Sequence, residues 1–333
     1  WSSDVCSSDL IARSRPLRCS INPDIIHGDA YKLRRVNRDI RVVVIGAGTA
    51  GMEAACTAAE VGCHTWLLEK KNSLGGLASE ISRLPEKKRI ADFPQFMKNR
   101  MAGLDNLMLM VGQEANVERI AGLRPNLIVN ATGSTPLLPP INGLKECIDV
   151  EGGNVFSIMG MIHHLDQFAD VEGKRIAVVG GGAVGLDVIE YFSARGARTT
   201  LIEMQDGPGR DLDIITKNAM LTMLDEHHVE QHMQTQLVAV HPTHFSVKQA
   251  DRAYDIPFDY GFVCLGMRAN TTGLNEIEQW ARANNVKIMN IGDSLMARRI
   301  IDGVREGRNV LDTLEDMGAL GNRESAKIPL LTY

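Results

Sequence analysis

Two stretches of this chain follow one pattern, and the pattern leaves few folds open. Val42–Ile45 is a short, wholly apolar run followed by Gly46, Gly48 and Gly51 in the spacing GxGxxG. Arg175–Val179 is followed by Gly180, Gly182 and Gly185 in the same spacing. In each copy a carboxylate stands eighteen residues past the third glycine: Glu69 after the run Thr65–Leu68, and Glu203 in the second copy. An apolar run of this length predicts a parallel strand buried on both faces. The first glycine permits a tight turn. The second, with Ala47 in one copy and Ala183 and Val184 in the other, lets backbone approach a pyrophosphate, and the third lets the helix pack on the strand. The diphosphate would lie at the helix N-terminus, where free N–H groups and the helix dipole favour an anion. The acid can accept hydrogen bonds from ribose hydroxyls. One GxGxxG alone is a weak signal. Strand, helix, strand and acid in order, twice over, predict an internal repeat that binds two dinucleotides in an α/β fold with parallel sheets in each half. Glu203 suits the 2′-hydroxyl of NAD and repels the 2′-phosphate of NADP. Met204 and Gln205 offer no Arg to that phosphate, although Arg210 is within reach, so NAD(H) is expected over NADP(H).

The 333 residues are 44% hydrophobic, enough for two cores. A net charge of −5 argues against a nucleic-acid surface, which needs clustered Lys and Arg. No apolar run approaches the length of a membrane-spanning helix, and no signal peptide is legible, so a cytoplasmic protein is expected. None of the six cysteines forms a CxxC pair, which excludes the dithiol of a thioredoxin-type reductase. Cys56, Cys63 and Cys264 read as small buried hydrophobes, and no disulfide framework is expected. The first ten residues, WSSDVCSSDL, match a widely used sequencing adapter translated in frame. They and Cys6 are set aside, and native sequence is expected to begin near Ile11 as part of a longer chain. His228 and His232 are four apart, but Val229 onward reads as a strand, so a solvated helix end is expected rather than a metal site. His163 and His164, in the segment between the two halves, have no ligand set around them either. Met220, Met223, Met233, Met289 and Met296 read as core filling.

Further pieces follow each fingerprint. After the first come Gly75-Gly76 and then VNATGSTP (Val129–Pro136), whose Ala131-Thr132-Gly133 turn resembles the one that closes the flavin site in two-dinucleotide flavoproteins. After the second, DYGFVCLGMRAN (Asp259–Asn270) repeats the strand-to-glycine turn at Gly266. A last strand then runs into Gly292-Asp293 and a long amphipathic helix. Asp293 reads as a partner for a flavin's ribityl chain, or as the N-cap of that helix.

In this order the pieces resemble the two-dinucleotide flavoprotein reductases. More narrowly, over about residues 17–320, they resemble the C-terminal half of the 2,4-dienoyl-CoA reductase, enoate reductase and trimethylamine dehydrogenase branch of the old yellow enzyme family. The narrowing features are CSINP ahead of the first strand, GGGAVGLD with Asp187, and GDSLMARRIIDGVREG. The resemblance implies a discontinuous FAD domain (38–155 and 284–322) with an NAD(P)-binding domain (156–283) inserted in it. Residues 11–37 would be an extended segment from an absent N-terminal barrel and iron–sulfur region, and 323–333 a tail. FAD would meet Gly46, Ala47, Gly48, Gly51, Glu69, Gly75, Gly76, Thr132, Gly133, Gly292 and Asp293. NAD would meet Gly180, Gly182, Ala183, Val184, Gly185, Glu203 and Gly266. Cys19, with Asn22 and Pro23, matches the last ligand of the family's 4Fe-4S cluster, present only in the full-length protein.

Electrons would pass from NADH to FAD, through the cluster, to FMN in the barrel, which reduces an activated alkene of the enoate or dienoyl-CoA class. No catalytic side chain is expected in this half, because the chemistry belongs to the cofactors. The small-molecule substrate would meet the barrel. Two other readings stay open: a stand-alone NADH-dependent FAD reductase that feeds a separate carrier, and a non-catalytic nucleotide-binding module.

Overall fold

The computed structural model describes residues 19–23, 30–271 and 274–321. The adapter-like residues 1–10 with Cys6, most of segment 11–37 and the tail 323–333 lie outside the described residues. The described residues divide into two compact units, one of those up to 135 and from 268 onward, the other of 136–267.

The first unit is built on a five-stranded sheet in the order β15-β4-β1-β2-β3. Its strands are β1 (Arg41–Ile45), β2 (His64–Glu69), β3 (Leu107–Val111), β4 (Leu127–Asn130) and β15 (Lys287–Asn290). Every neighbouring pair is parallel. The valines of β1 are fully buried because both faces of the sheet are covered. One face packs on α1 (Thr49–Glu60), α3 (Asp92–Met101), α10 (Ile300–Arg308) and α11 (Val310–Asp316). The other packs on α4 (Val117–Leu123) and α9 (Leu274–Ala283) through Ile120, Ile277 and Ala281. The short helix α2 (Gly76–Ile81) follows β2. Helix α10 approaches α1 closely at Gly307, where a Cβ would fall 2.5 Å from the Ala50 carbonyl oxygen.

A buried ionic cluster ties these helices together. Glu53 on α1 is completely buried and meets Arg100 of α3 at 2.6 Å and Arg308 of α10 at 2.7 Å. Arg100 also holds Glu60 at 2.6 Å, and the Arg308 guanidinium lies 4.0 Å over the Tyr31 ring. Burial alone would raise the Glu60 carboxyl, but the hydrogen bond and charge of Arg100 bring it below its usual value.

The second unit repeats the plan. Its main sheet runs β6-β13-β7-β8-β9, from β6 (Val155–Phe156), β13 (Tyr260–Val263), β7 (Arg175–Val179), β8 (Arg198–Ile202) and β9 (Glu230–His232). It is again all parallel. An antiparallel meander, β10 (Thr235–Val240), β11 (His244–Gln249) and β12 (Arg252–Pro257), covers one side through Phe245, Val247 and Ile256. Phe156, Phe168, Phe192 and Phe262 form a mutually packed aromatic cluster, with ring centroids 4.8–5.8 Å apart in the contacting pairs. The unit's helices are α5 (Leu144–Cys147), α6 (Ile158–His163), α7 (Ala183–Ser193) and α8 (Ile214–Glu226). Strands β5 (Ser134–Pro136) and β14 (Met267–Ala269) carry the chain across at the two junctions.

Several details differ from the sequence reading. The junctions fall at 135/136 and 267/268, not at 155/156 and 283/284. The reason is packing: β6 pairs with β13 in the second unit, whereas α9 and β15 complete the first. His163 therefore ends a helix inside the second unit instead of lying in a connector. The helix expected after Asp293 begins only at Ile300 and is broken at Asn309. Met296, expected in the core, is 59% exposed. Cys56, Cys63 and Cys264 are free and buried, and burial pushes each thiol up to about 12. No described helix is long and apolar enough to cross a membrane.

Candidate functional site

In each unit the chain leaves the glycine strand to one side of the sheet and returns on the other. This creates a crevice at the carboxyl ends of β1 and β4, and of β7 and β13. Ligands of open α/β sheets bind at such a switch point. The turns that line the two crevices agree bond for bond. Gly46 N–H donates to Leu68 O at 2.8 Å, and Gly180 N–H to Ile202 O at 2.9 Å. A Cβ on Gly46 would fall 2.4 Å from Ala131 O, and one on Gly180 would fall 2.2 Å from Cys264 O. Both residues also have positive φ, +98° and +104°, so only glycine fits. Gly51 and Gly185 let their helices sit against the carbonyls of Gly46 and Gly180, at 1.9 and 1.8 Å from the position of an added Cβ.

The two terminal acids do something the sequence did not disclose. Glu69 accepts the Ala47 N–H through Oε2 and the Lys71 N–H through Oε1, both at 2.8 Å. Glu203 accepts the Gly181 N–H through Oε2 at 2.6 Å and the Gln205 N–H through Oε1 at 2.7 Å. Each carboxylate thus fastens its glycine turn to the end of the second strand. Each oxygen keeps a further lone pair that a ribose hydroxyl can use. The signal lay in the equal spacing of acid and glycine in the two copies. Its mechanical half could not be read from one dimension.

In the first unit the remaining expected residues gather at the same end of the sheet. A Cβ on Gly48 or on Gly133 would meet no atom within 4 Å, so both backbones face open space. Gly75 donates to Ala47 O at 2.8 Å, and an added Cβ on Gly76 would fall 2.9 Å from Gly48 Cα. Thr132 Oγ1 donates to Asn130 Oδ1 at 2.9 Å. Gly292 N–H is held by Glu306 at 2.7 Å. Asp293 accepts from Ser134 Oγ at 2.7 Å and from the Arg298 N–H at 3.2 Å. It is not the N-cap of α10, a position held by Arg299. Burial raises the Asp293 carboxyl above its usual value, against the pull of those two donors. An open glycine cradle at the N-terminus of a twelve-residue helix, with a half-buried acid nearby, suits the diphosphate and polyol of FAD. Ser134 and Glu306, which hold Asp293 and Gly292, carry no signal in the sequence.

In the second unit Ala183 and Val184 open α7, and Gly266 borders open space as Gly133 does. Arg210, weighed as a 2′-phosphate partner, pairs with Asp206. The turn at Gly182 is not open: Asp211 lies against it, with both carboxylate oxygens accepting the Ala183 N–H at 3.1 and 3.2 Å. A groove of about 770 Å³, lined in part by Arg175, Arg198, His228 and Arg252, lies at the amino ends of β7 and β8, opposite the glycine turn. No group of three or more His, Cys, Asp or Glu placed to hold a metal occurs among the described residues. Cys19 is a half-buried free thiol. A four-iron cluster needs four such ligands, so the described residues do not fit one.

A profile of the pyridine nucleotide-disulphide oxidoreductase family matches residues 110–292, more than half of the chain. The chain belongs to that family. A profile of FAD dependent oxidoreductases matches residues 41–117, which carry the first fingerprint. The two matches give the chain the domains of an FAD-dependent pyridine nucleotide oxidoreductase, in keeping with its two dinucleotide-binding units. The NADH oxidase of Thermoanaerobacter brockii is 28% identical over 308 residues, 92% of this chain and 46% of that protein. The bilirubin reductase of Mediterraneibacter gnavus is 26% identical over 290 residues, 86% of this chain and 42% of that protein. The chain spans about half the length of the curated relatives it matches. A solved complex of 2-naphthoyl-CoA reductase with 2-naphthoyl-CoA shares the fold, with a TM-score of 0.74 at 21% identity over 89% of this chain and 43% of that one.

Proposed function

We propose that this chain is the NADH-oxidising half of a longer flavoenzyme of the enoate reductase type, with FAD in the first unit and NADH in the second. The observation that carries the reading is the pair of glycine turns with their clamping acids, Glu69 and Glu203, one on each sheet. Gly46, Gly48 and Gly51, with the N-terminus of α1, hold the FAD diphosphate, while Glu69 accepts from the adenosine ribose. Gly76, Thr132 and Gly133 line its path, and Asp293 with Gly292 orients the ribityl chain. Gly182, Ala183, Val184 and Gly185 hold the NADH diphosphate, and Gly266 lies beside its nicotinamide half. Glu203 keeps two backbone N–H bonds and faces the ribose as an anion, which favours NADH over NADPH.

When bound, the flavin accepts a hydride and releases electrons singly, which is cofactor chemistry that needs no acid or base from this chain. In the longer protein, the resemblance in CSINP, GGGAVGLD and GDSLMARRIIDGVREG would add a 4Fe-4S cluster with Cys19 among its ligands, and an FMN that would serve the reduction of an activated alkene. The described residues alone would not hold that cluster. A relative named as an NADH oxidase accords with NADH as donor.

The test is anaerobic mixing of the FAD-loaded chain with NADH or NADPH while the flavin's visible absorbance is followed. Rapid bleaching, faster with NADH, supports the reading. A flavin that neither nucleotide reduces sinks it.

A further inference from the structure

The two glycine turns differ in what faces their second glycine, and the difference is a carboxylate. In both, the residue twenty-nine positions past the first fingerprint glycine bridges back to the turn. Gly75 N–H donates to Ala47 O at 2.8 Å, and Gly209 N–H donates to Gly181 O at 2.7 Å. Two residues further on, the first copy has Leu77 and the second has Asp211. At the first turn the space over Gly48 is empty to 4 Å. At the second, a Cβ on Gly182 would lie 3.3 Å from Asp211 Oδ2. That carboxylate takes the N–H of Ala183, the first residue of the eleven-residue helix α7. An anion placed on a helix's first free N–H stands where a dinucleotide's diphosphate stands in this fold.

We propose that Asp211 is an internal stand-in for the diphosphate, an autoinhibitory contact that closes the second glycine turn until a pyridine nucleotide displaces it. The inference rests on the reading that the second turn binds that nucleotide. Two anions cannot share one N–H donor, so entry of the nucleotide requires the Asp211 carboxylate to move off the Ala183 N–H. The loop 206–212 that carries it is anchored on both sides by Glu203, clamped to Gly181 and Gln205, and by Asp213, which caps α8 through the Ile215 and Thr216 N–H groups at 3.0 and 3.1 Å. Pro208 and Gly209 are buried within it, and Gly209 stays bonded to Gly181. The Asp211 side chain is itself exposed, so it can turn into solvent while that anchored loop keeps its place. Apparent affinity for the nucleotide is then the intrinsic affinity reduced by the fraction of molecules in which the carboxylate has left the turn.

Anaerobic calorimetric titration of NADH into the chain with its FAD reduced beforehand, so that no hydride transfer adds heat, tests this on wild type and on Asp211→Ala. The variant is expected to bind NADH about five- to twentyfold more tightly, the range of a single charged capping contact. Without nucleotide, the amides of residues 182–185 are expected to exchange faster in the variant than in wild type, and saturating NADH should remove that difference. Wild-type binding with unchanged or weaker binding by the variant overturns the role of Asp211 alone. Failure of both proteins to bind either NADH or NADPH overturns the site assignment, and the inference with it.

Discussion

Ser134 donates through Oγ to Asp293 Oδ2 at 2.7 Å, joining the turn after β4 to the turn after β15. The carboxyl is half-buried, and loss of solvent lifts its pKa above the usual aspartate value. For an acid raised in the fold, the stabilising contribution is complete below the unfolded pKa and is lost as pH rises through the folded one. Once pH has risen through that raised value, the flavin-free protein carries a charge in a half-buried site that opposes folding. Asp293→Asn is expected to flatten the fall of the melting midpoint as pH rises through it, and to leave the flavin-free protein more stable on the alkaline side. The same change should weaken FAD. Thermal melts across pH, paired with a flavin titration, check both halves.

Gly46 and Gly48 separate folding from binding. Gly46→Ala would place a methyl 2.4 Å from a backbone oxygen at positive φ, a loss of about 3 kcal/mol in unfolding free energy. Gly48→Ala meets nothing and should change stability by less than about 0.5 kcal/mol. It should nevertheless cost about tenfold or more in FAD affinity, because its methyl fills the space the diphosphate needs. Denaturant unfolding without flavin and flavin titration of the same variants distinguish the two.

Glu53 neutralises two guanidinium groups in a core with little access to water. Arg100 keeps Glu60 if Glu53 is lost, but Arg308 keeps only the face of Tyr31. Glu53→Gln is thus expected to destabilise by about 3–5 kcal/mol, the toll of an uncompensated buried charge. Adding Arg308→Met should recover most of it. Unfolding free energies of the two single variants and the double variant form the cycle that reads this coupling.

Glu203→Gln removes an anion from the ribose end of the second site while leaving an oxygen for one backbone N–H. The preference for NADH over NADPH is expected to fall about tenfold. Arg210, already paired with Asp206, is not expected to create a reversed preference. Dissociation constants for both nucleotides, measured on wild type and variant, decide the matter.

The parts of this molecule set by local pattern are legible in the order of its residues. β1, β2 and β7 lie where the apolar runs of 42–45, 65–68 and 175–179 place them, within a residue. What stays hidden depends on the third dimension. The pairing of β6 with β13 moves the unit boundary by twenty residues, because two residues of strand carry no signal of which sheet they join. The irregular turn at Leu295–Arg299 interrupts a stretch whose apolar spacing reads as continuous helix. Asp211 has a one-dimensional clue, the equal offset of Gly75 and Gly209, but its meaning emerges only when the space over Gly48 is compared with that over Gly182.

The strand order of the first unit has a consequence for how the chain is made. β15 pairs with β4, yet residues 131–286 lie between them in sequence. At ordinary rates of translation this separation lasts roughly 10–30 s. During that interval β4 has an apolar edge without a neighbour, and Val304, Leu311 and Leu314 are not yet available to the core around α1. Residues 136–267 emerge whole within the same interval, so on the ribosome the later half can finish first. Proteolysis of arrested nascent chains should show that segment protected while the segment before it is still cut. The earlier half is left as an open-edged sheet, and that is the stage at which a nascent-chain chaperone would have something to hold.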